Sequence, residues 1–409
     1  MISLEELTKQ YKKEQFLDYL NSIKGLYAQY HCRSKKYCYY DFNTLPLSKK
    51  AMKPNTTKQF QLSLYNQLKT NKRRAYKSDI ALEINLFSND KTPPNIYKAT
   101  KNLLDIMGKP INKNINRKGL LYYDDSQIKY LSVNYMIGTE FSRISIESKP
   151  FNNFLADLNL AYECFYYIKN KKENMPDDAF DFYKDLEINR NIYISKFGIK
   201  TYNVMLKFEK NCIQNELFTT TSLKLFDIYS IYKAENCIKN NSKYNINIYE
   251  GYSKFIRESP FKIALPSPPH NQYITTSFKN DFKLSLTILA NKLQKYLPLQ
   301  VPISIQVFYK PPKHNFQNKR DLDNIINLFI PSITEILNPP MLSTSNPQRI
   351  KDRGLSGFEI MLIPRQPEDN TEGYLVVSFS NYECGLNSIT SSISKNISEA
   401  EPNIDKFIL

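Results

Sequence analysis

Two aspartates separated by a single residue, Asp321 and Asp323, are the residues of this sequence best suited to catalysis. They stand in the segment Lys319-Arg320-Asp321-Leu322-Asp323-Asn324, behind two cations. In an extended chain or turn, side chains two residues apart point the same way, so both carboxylates could bind one divalent cation while the basic residues contact phosphate. This combination is typical of Mg²⁺-assisted phosphodiester chemistry. A solvated turn in a basic loop carries the same residue types, so the motif alone does not decide.

The elements around this motif predict how it is positioned. The β-branched run Ile303–Tyr309 predicts a strand before it, and Ile325–Leu337 predicts a helix after it. The same order occurs about two hundred residues earlier, where the alternating run Ile80–Phe87 predicts a strand and Ile96–Met107 predicts a helix. We interpret this self-similarity as two copies of one α+β unit.

These patterns predict the class α+β, with two units that each contain a small mixed sheet packed with helices, joined by a mostly helical segment. A length of 409 residues fits two or three domains. The predicted divisions are an N-terminal helix over 1–35, a basic first unit over 36–150, a helical insert or linker over 151–255, a second unit over 256–382 and a disordered tail over 383–409.

The chain is strongly basic, with a formal net charge of +16 that lies mostly in the first 150 residues. A basic chain without an apolar run of about 18 residues favours nucleic acid as partner and argues against a membrane protein. Six scattered cysteines and the lack of a signal-peptide pattern predict a reducing, cytoplasmic location. An AT-rich genome would also enrich surface lysine, which leaves a protein-binding module as an alternative.

Several stretches together resemble the RusA family of Holliday-junction resolvases. The second copy carries an opening signature at Ile263–Tyr273 and the metal motif at Arg320–Asn324. The first copy carries Gly119–Ile128, which is similar to the family's aspartate pair followed by a short polar step into a strand. The resemblance implies a DNA-binding fold with two equivalent sites, formed by a homodimer or here by an internal pseudo-dimer of the two copies.

The first copy departs from the family pattern, which reads Asp-x-Asp-Asn-x-x-Lys, then an aspartate four residues on, then the aspartate pair. Asn95 and Tyr97 stand at the two leading aspartates. The positions that remain are Lys101, Asp105, Asp124 and Asp125.

The second copy departs in the complementary way. Asp321, Asp323 and Asn324 remain, but Asn327 and Pro331 stand at the lysine and at the later aspartate. The aspartate pair is expected near Ser356-Gly357, where Glu359 is the nearest carboxylate. Each copy therefore retains the half-site that the other has lost.

The resemblance implies metal-dependent cleavage of phosphodiesters in a four-way DNA junction. It assigns catalytic roles to Asp321, Asp323, Asp125 and Lys101, with Asp124 beside the three carboxylates as a further ligand of Mg²⁺ or Mn²⁺. In this chemistry the carboxylates place the metal, and the lysine stabilises charge that develops in the transition state.

Three hypotheses follow from the complementary losses. In the first, the second copy is active alone, with Glu359 completing the metal site. In the second, a composite site forms where the first copy's Asp124, Asp125 and Lys101 meet the second copy's Asp-x-Asp. In the third, both copies are degenerate and the protein only binds DNA. For single residues, Asp124-Asp125 could also be a plain turn, and Lys101 an exposed helical lysine.

DNA contact is predicted on the basic surface, through counterion release at phosphates and not through base-edge readout. Association with DNA would place the protein at the nucleoid. The predicted nucleic-acid-binding residues are Lys49, Lys50, Lys72, Arg73, Arg74, Lys77, Lys319 and Arg320.

Overall fold

A computed structural model describes most of the chain. The described residues are 12, 15–90, 94–171, 185–223, 262–266, 272–292, 294, 297, 299, 303–311, 321–337, 355–363, 373–380 and 389–402. Lys319 and Arg320 lie outside them. None of the helices in these ranges is long and apolar enough to cross a membrane.

The fold is mixed α and β and is built on one eight-stranded mixed sheet. The strands are β1 (Cys38–Phe42), β2 (Ile80–Ser88), β3 (Ile128–Ile137), β4 (Arg143–Pro150), β5 (Lys262–Pro266), β6 (Ile303–Lys310), β7 (Leu355–Leu362) and β8 (Tyr374–Ser380). Their order across the sheet is β1-β4-β2-β3-β7-β6-β8-β5. The two small sheets predicted from sequence are therefore the two ends of a single sheet.

The strand order repeats about the centre of the sheet. We call residues 38–171 the first half and residues 262–400 the second half. In both halves the first strand pairs antiparallel with the fourth, the fourth antiparallel with the second, and the second parallel with the third. The register also slips at the same place, at Ile80/Ala81 in the first half and at Ile303/Ser304 in the second.

The two halves join through the antiparallel pairing of β3 with β7 at the centre of the sheet. The register sets Leu131 opposite Ile360 and Val133 opposite Phe358, and all four side chains are fully buried. Burying an aliphatic or aromatic side chain of this size contributes about 1.5–3 kcal/mol relative to leaving it in water. The joint is thus a hydrophobic core element and not a loose contact between domains.

Helices cover both faces of the sheet. They are α1 (Ile23–Ser34), α2 (Pro54–Thr70), α3 (Ile96–Gly108), α4 (Phe151–Lys171), α5 (Arg190–Leu223), α6 (Gln272–Lys292), α7 (Leu322–Ile326), α8 (Ile330–Leu337) and α9 (Ile389–Ala400). One core cluster joins one face of the sheet to α2, α3, α6, α7 and α8. The other joins the opposite face to α1, α4 and α9.

Two of the predicted boundaries differ from the structure. Residues 383–409 were expected to be disordered, but Ile389–Ala400 is a helix that buries Ile389, Ile393 and Ile397. The helix is rich in Ser, but an apolar residue stands at every fourth position, which is a helical spacing. Helix α4, expected to begin a separate segment at residue 151, instead packs Phe151 and Phe154 into the core beneath the sheet. It follows β4 as α9 follows β8, and the two helices contact each other.

Helix α3 is the element that places the candidate site within the first half. It begins where the Asn95 side chain accepts a hydrogen bond from the backbone N–H of Tyr97 at 2.9 Å. Ala99, Leu103 and Met107 lie at helical spacing and are buried against the sheet. The opposite face of the helix is left for Tyr97, Lys101 and the residues that follow.

Candidate active site

The strand directions bring the two half-sites to one edge of the sheet. Because β3 runs antiparallel to β7, and β7 parallel to β6, the amino end of β3 and the carboxyl end of β6 lie at the same edge. Asp125 directly precedes β3, and Asp321 follows β6 through residues 312–320, which lie outside the described chain. The topology therefore assembles this site from both halves.

Asp321 and Asp323 lie at the beginning of a short helix. Asp321 is the N-cap of α7, with φ −62° and ψ 145°, and Asp323 stands in the first turn. The strand-like geometry assumed from their spacing is thus replaced by a helix start. Leu322, Ile325 and Ile326 bury this turn in the core, which holds the two carboxylates in place.

Lys101 links the two halves at this point. Its Nζ forms an ion pair with Asp323 Oδ2 at 2.9 Å and donates to Asn324 Oδ1 at 3.2 Å. The Asn324 amide in turn donates to Asp321 Oδ2 at 3.3 Å. Asp323 is only 3% exposed, so its charge depends on these partners. Lys101 keeps 42% of its side chain exposed, as the alternative interpretation expected, but its ammonium group is ion-paired.

Asp124 and Asp125 have different environments. Asp124 caps a 3₁₀ turn, Asp125–Gln127, by accepting the backbone N–H of Ser126 at 2.8 Å, and Gln127 completes a capping box. These bonds to Ser126 hold the pKa of the Asp124 carboxyl below its usual value. Asp124 is thus the turn residue of the alternative interpretation, and Asp125 is the member of the pair available as a ligand.

Electrostatic repulsion joins the carboxylates of the two halves. Burial, followed by the charges of Asp125 and Asp323, raises the pKa of Asp321 to about 6. Burial and then the charges of Asp124 and Asp323 raise the pKa of Asp125 as well, while Lys101 lowers both. The single positive charge of Lys101 does not offset the negative charges of the three carboxylates Asp125, Asp321 and Asp323. A bound cation would reduce the repulsion among them.

The donor set fits a hard divalent cation in its chemistry. Carboxylate oxygens are the ligands that Mg²⁺ and Mn²⁺ prefer, and Mg²⁺ is usually bound by one or two carboxylates together with water and phosphate oxygens. Within the described chain, no group of three or more His, Cys, Asp or Glu side chains is arranged so that it could hold a metal ion. Asp323 has the ammonium group of Lys101 as its cationic partner instead.

Glu359 does not belong to this site, so the first hypothesis is wrong in the form that includes it. Side chains alternate along β7, which places Glu359 with Met361 on the face covered by α9, opposite α7. Its carboxylate accepts bonds from Tyr130 Oη at 2.9 Å, Gln306 Nε2 at 3.1 Å and the backbone N–H of Ile389 at 2.7 Å. It is a structural group between the sheet and α9.

The opposite edge of the sheet holds the equivalent position, assembled from the other parts of each half. There the segment after β2, with Asn95 and Tyr97, lies at the same edge as the amino end of β7. The expected aspartate pair near Ser356-Gly357 was misplaced, since both residues lie inside β7. The register shows that Leu355 corresponds to Ile128, so Asp352 corresponds to Asp125, although residue 352 is outside the described chain.

The two equivalent positions differ in the residue types that they carry. The first has Asp125, Asp321, Asp323 and Lys101. The second has Asp352, Asn95, Tyr97 and Asn327 in the same order. Set against the family pattern, the first position carries all four expected residue types and the second carries only the aspartate, so we call them the complete and the incomplete position.

The predicted nucleic-acid-binding residues form two groups at opposite ends of α2, which is about 25 Å long at 1.5 Å per residue. Lys49 and Lys50 precede the helix and line a cavity with Lys101. Lys72, Arg74 and Lys77 are exposed after it, whereas Arg73 donates to the backbone of Lys36 at 2.8 Å. The second group lies next to the segment that carries the aspartate pair. Tyr76, which precedes Lys77, donates its backbone N–H to Leu121 O of that segment at 2.8 Å.

Two residues of the site were missed from sequence. Asn324 was noted only as part of the motif, yet it connects Lys101 to Asp321. Tyr122 is fully buried behind the carboxylates, and its hydroxyl donates to Leu104 O at 2.6 Å. Burial and then the charge of Asp125 raise the pKa of this tyrosine far above its usual value. The sequence feature that could have identified Tyr122 was its position shortly before the aspartate pair.

Comparison with known proteins adds no family assignment. A scan against protein-family models finds no match, and a search of curated proteins finds no significant one.

Proposed function

We propose that this chain is a RusA-like, metal-dependent endonuclease for Holliday junctions or other branched DNA, with two RusA-like units and one composite active site. The observation that carries the proposal is the ion pair between Lys101 and Asp323, which joins residues 222 positions apart. It unites the lysine of one half of the family motif with the aspartates of the other. The palindromic strand order supports the duplicated origin.

In this proposal each residue has a separate task. Asp125, Asp321 and Asp323 would hold Mg²⁺ or Mn²⁺, which when bound supplies a polarised phosphate and an acidified water. Asn324 orients Asp321 and Lys101 through its amide. With a metal ion bound at Asp323, Lys101 would be available to stabilise the negative charge that develops on the phosphate. Tyr122 excludes water from behind the carboxylates.

A single complete site implies that the product is a nick. Symmetric resolution of a four-way junction needs two equivalent sites on two strands. Because the second position has Asn95, Tyr97 and Asn327, the protein would cut one strand of a branched substrate for each binding event.

The test is cleavage of a labelled synthetic four-way junction with Mg²⁺ or Mn²⁺, resolved on a denaturing gel. Wild type is expected to produce nicked junction, and Asp323→Asn to lose cleavage while it still binds the junction. Asp281→Asn is the matched control, because Asp281 is exposed on α6 in the same half. Junction binding without metal-dependent cleavage by wild type would exclude the enzyme, and no binding at low salt would exclude DNA as partner.

A second candidate function is a catalytically inactive DNA-binding or structural protein that retains the scaffold. The observation that favours it is the set of substitutions at the incomplete position, where Asn95, Tyr97 and Asn327 stand in place of the aspartates and the lysine of the family pattern. Calorimetric titration with Mn²⁺ separates the two, since a nuclease site binds the ion in wild type and loses it in Asp323→Asn, whereas an inactive scaffold shows no difference.

A further inference from the structure

A cavity of about 330 Å³ lies beside α3, at the position equivalent to the aspartate motif. It is formed by the loop before α2 and by the solvent face of α3. Its lining residues are Ser48, Lys49, Lys50, Tyr97, Lys98, Lys101, Asn102 and Asp105. The volume is within the range of small-ligand sites and is large enough for one nucleotide unit.

The cavity is strongly cationic. Four lysines line it against one carboxylate. Lys49 is paired with Asp105 at 2.8 Å, and Lys101 with Asp323 at 2.9 Å. Lys50 and Lys98 are exposed, and within the described part of the chain no carboxylate forms an ion pair with either. Two ammonium groups are therefore available to an anion that enters the cavity.

The cavity carries positive charge, whereas the equivalent position in the second half carries negative charge. When α3 and α7 are aligned at their first residues, Tyr97 and Lys98 correspond to Asp323 and Asn324 of the second half. Where the second half has carboxylates that need a cation, the first half has ammonium groups that can hold an anion directly. The position has lost its metal chemistry and has gained the charge needed for phosphate.

We infer that this cavity binds a phosphate group of a polynucleotide strand that is not itself cleaved. The lysines at positions 50 and 98 would contact the phosphate oxygens, and the half-buried ring of Tyr97 offers a surface on which a base can stack. The inference rests on the proposed partner, nucleic acid, but not on cleavage.

Lys101 connects the cavity to the carboxylates. The same ammonium lines the cavity and bonds Asp323. A phosphate held in the cavity would therefore lie close to Lys101, the ion-pair partner of Asp323. The incomplete position thereby becomes the part of the protein that orients the substrate for the complete one.

The test measures binding of a short fluorescent single-stranded DNA by anisotropy in EDTA, so that cleavage plays no part. Lys50→Glu/Lys98→Glu is expected to weaken binding by at least about tenfold and to lower the slope of log K against log salt by about 1–2. Lys200→Glu/Lys207→Glu is the matched control, since both lysines are exposed on α5 and the change in net charge is the same. The control is expected to change affinity by less than about threefold.

An equal loss in the two double variants would overturn the inference, because it would reflect net charge alone. Lys50→Gln/Lys98→Gln provides a milder change, with an expected intermediate loss, and circular dichroism verifies folding of each variant. Competition with inorganic phosphate and with a mononucleotide separates the sources of the anion. Displacement of the DNA by either one at micromolar concentration would show a small-anion site and contradict a strand-binding cavity.

The outcome is separable from that of the nuclease proposal. Loss of binding in the cavity variants, together with the lack of cleavage by wild type, would support the cavity and exclude the nuclease. Cleavage by wild type with unchanged binding in the cavity variants would support the nuclease and contradict the cavity inference.

Discussion

The two equivalent positions of the sheet have matching helix starts and differ in their charge. At one, burial and the charges of Asp125 and Asp323, which come from different halves, raise the pKa of Asp321 to about 6. At the other, Tyr97 and Lys98 line a cationic cavity. Strand order is set by the apolar pattern, whereas a few polar substitutions suffice to change what equivalent positions at the two edges of the sheet can bind.

The difference also shows where a repeated fold tolerates change. The apolar residues of β3 and β7 that pair at the centre are buried in both halves. The helix starts at Asn95 and Asp321 are likewise both caps, with extended backbone angles. The two positions differ in the side chains that face the site beside these helix starts. These side chains can therefore change without disturbing the buried apolar core.

The largest expected effect separates the two positions directly. Asp125→Asn should lower metal-dependent junction cleavage by at least about 100-fold, since it removes a ligand and changes in outer partners alone cost 10–100-fold. The same change at the equivalent residue, Asp352→Asn, should leave the rate within about twofold. Initial rates with a labelled junction measure both.

Equal losses in these two variants would mean that both positions contribute to cleavage, and the distinction between them would fail. A loss in Asp352→Asn alone would reverse the assignment of the complete position.

A smaller effect is expected at Lys101. Lys101→Ala should slow cleavage by about 10–100-fold, because the charge that opposes the developing phosphate charge is gone. It should also move the acid limb of the pH–rate profile to higher pH, since Lys101 lowers the pKa of both Asp321 and Asp125. Lys101→Arg is the conservative control, with a limb near that of wild type. An unshifted limb in Lys101→Ala would show that these carboxylates do not titrate in the reaction.

The smallest expected effect concerns stability. The pKa of Asp321 is about 6 in the folded protein and 3.8 for the unperturbed group. The unfolded chain thus holds fewer protons between these values, and stability falls as pH rises from 3.8 through about 6. Asp321→Asn removes the charge and should raise the free energy of unfolding at pH 7 by about 1 kcal/mol after allowance for solvent screening.

Urea denaturation at neutral pH and at about pH 4 measures this effect, which should shrink at the lower pH because wild type is then largely protonated. Asp281→Asn, at an exposed site, should change stability by less than about 0.5 kcal/mol at both values. A destabilised Asp321→Asn at neutral pH would contradict the raised pKa. The same raised value predicts that metal affinity declines below about pH 6, because a ligand must be deprotonated.

Local patterns in the sequence were enough to predict much of the secondary structure. The alternation of Ile80–Phe87 and the β-branched run Ile303–Tyr309 correspond to β2 and β6. The run Ile96–Met107 corresponds to α3 within one residue. In each case the apolar spacing is regular and Asn or Pro marks a boundary, so short-range physics suffices.

Long-range pairing could not be predicted in the same way. Nothing local in β3 or β7 indicates that they pair with each other and not with further strands, so the single sheet was not foreseen. The meeting of Lys101 with Asp323 depends on that pairing, which is why the composite site remained one hypothesis of three. Helix α9 was missed because polar residues, four of them Ser, make up most of its twelve residues, although its equivalence to α4 was available from the repeat.

The central joint has a consequence for how the chain folds. Tyr130 in β3 and Glu359 in β7 are in contact although 229 residues separate them, so this pairing forms at a high cost in loop closure and late in synthesis. Until then β3, in which seven of ten residues are apolar, is an edge strand with unpaired backbone groups on one side. A ribosome-bound or truncated first half should therefore be prone to aggregation, and chaperone dependence would be greatest before β7 emerges.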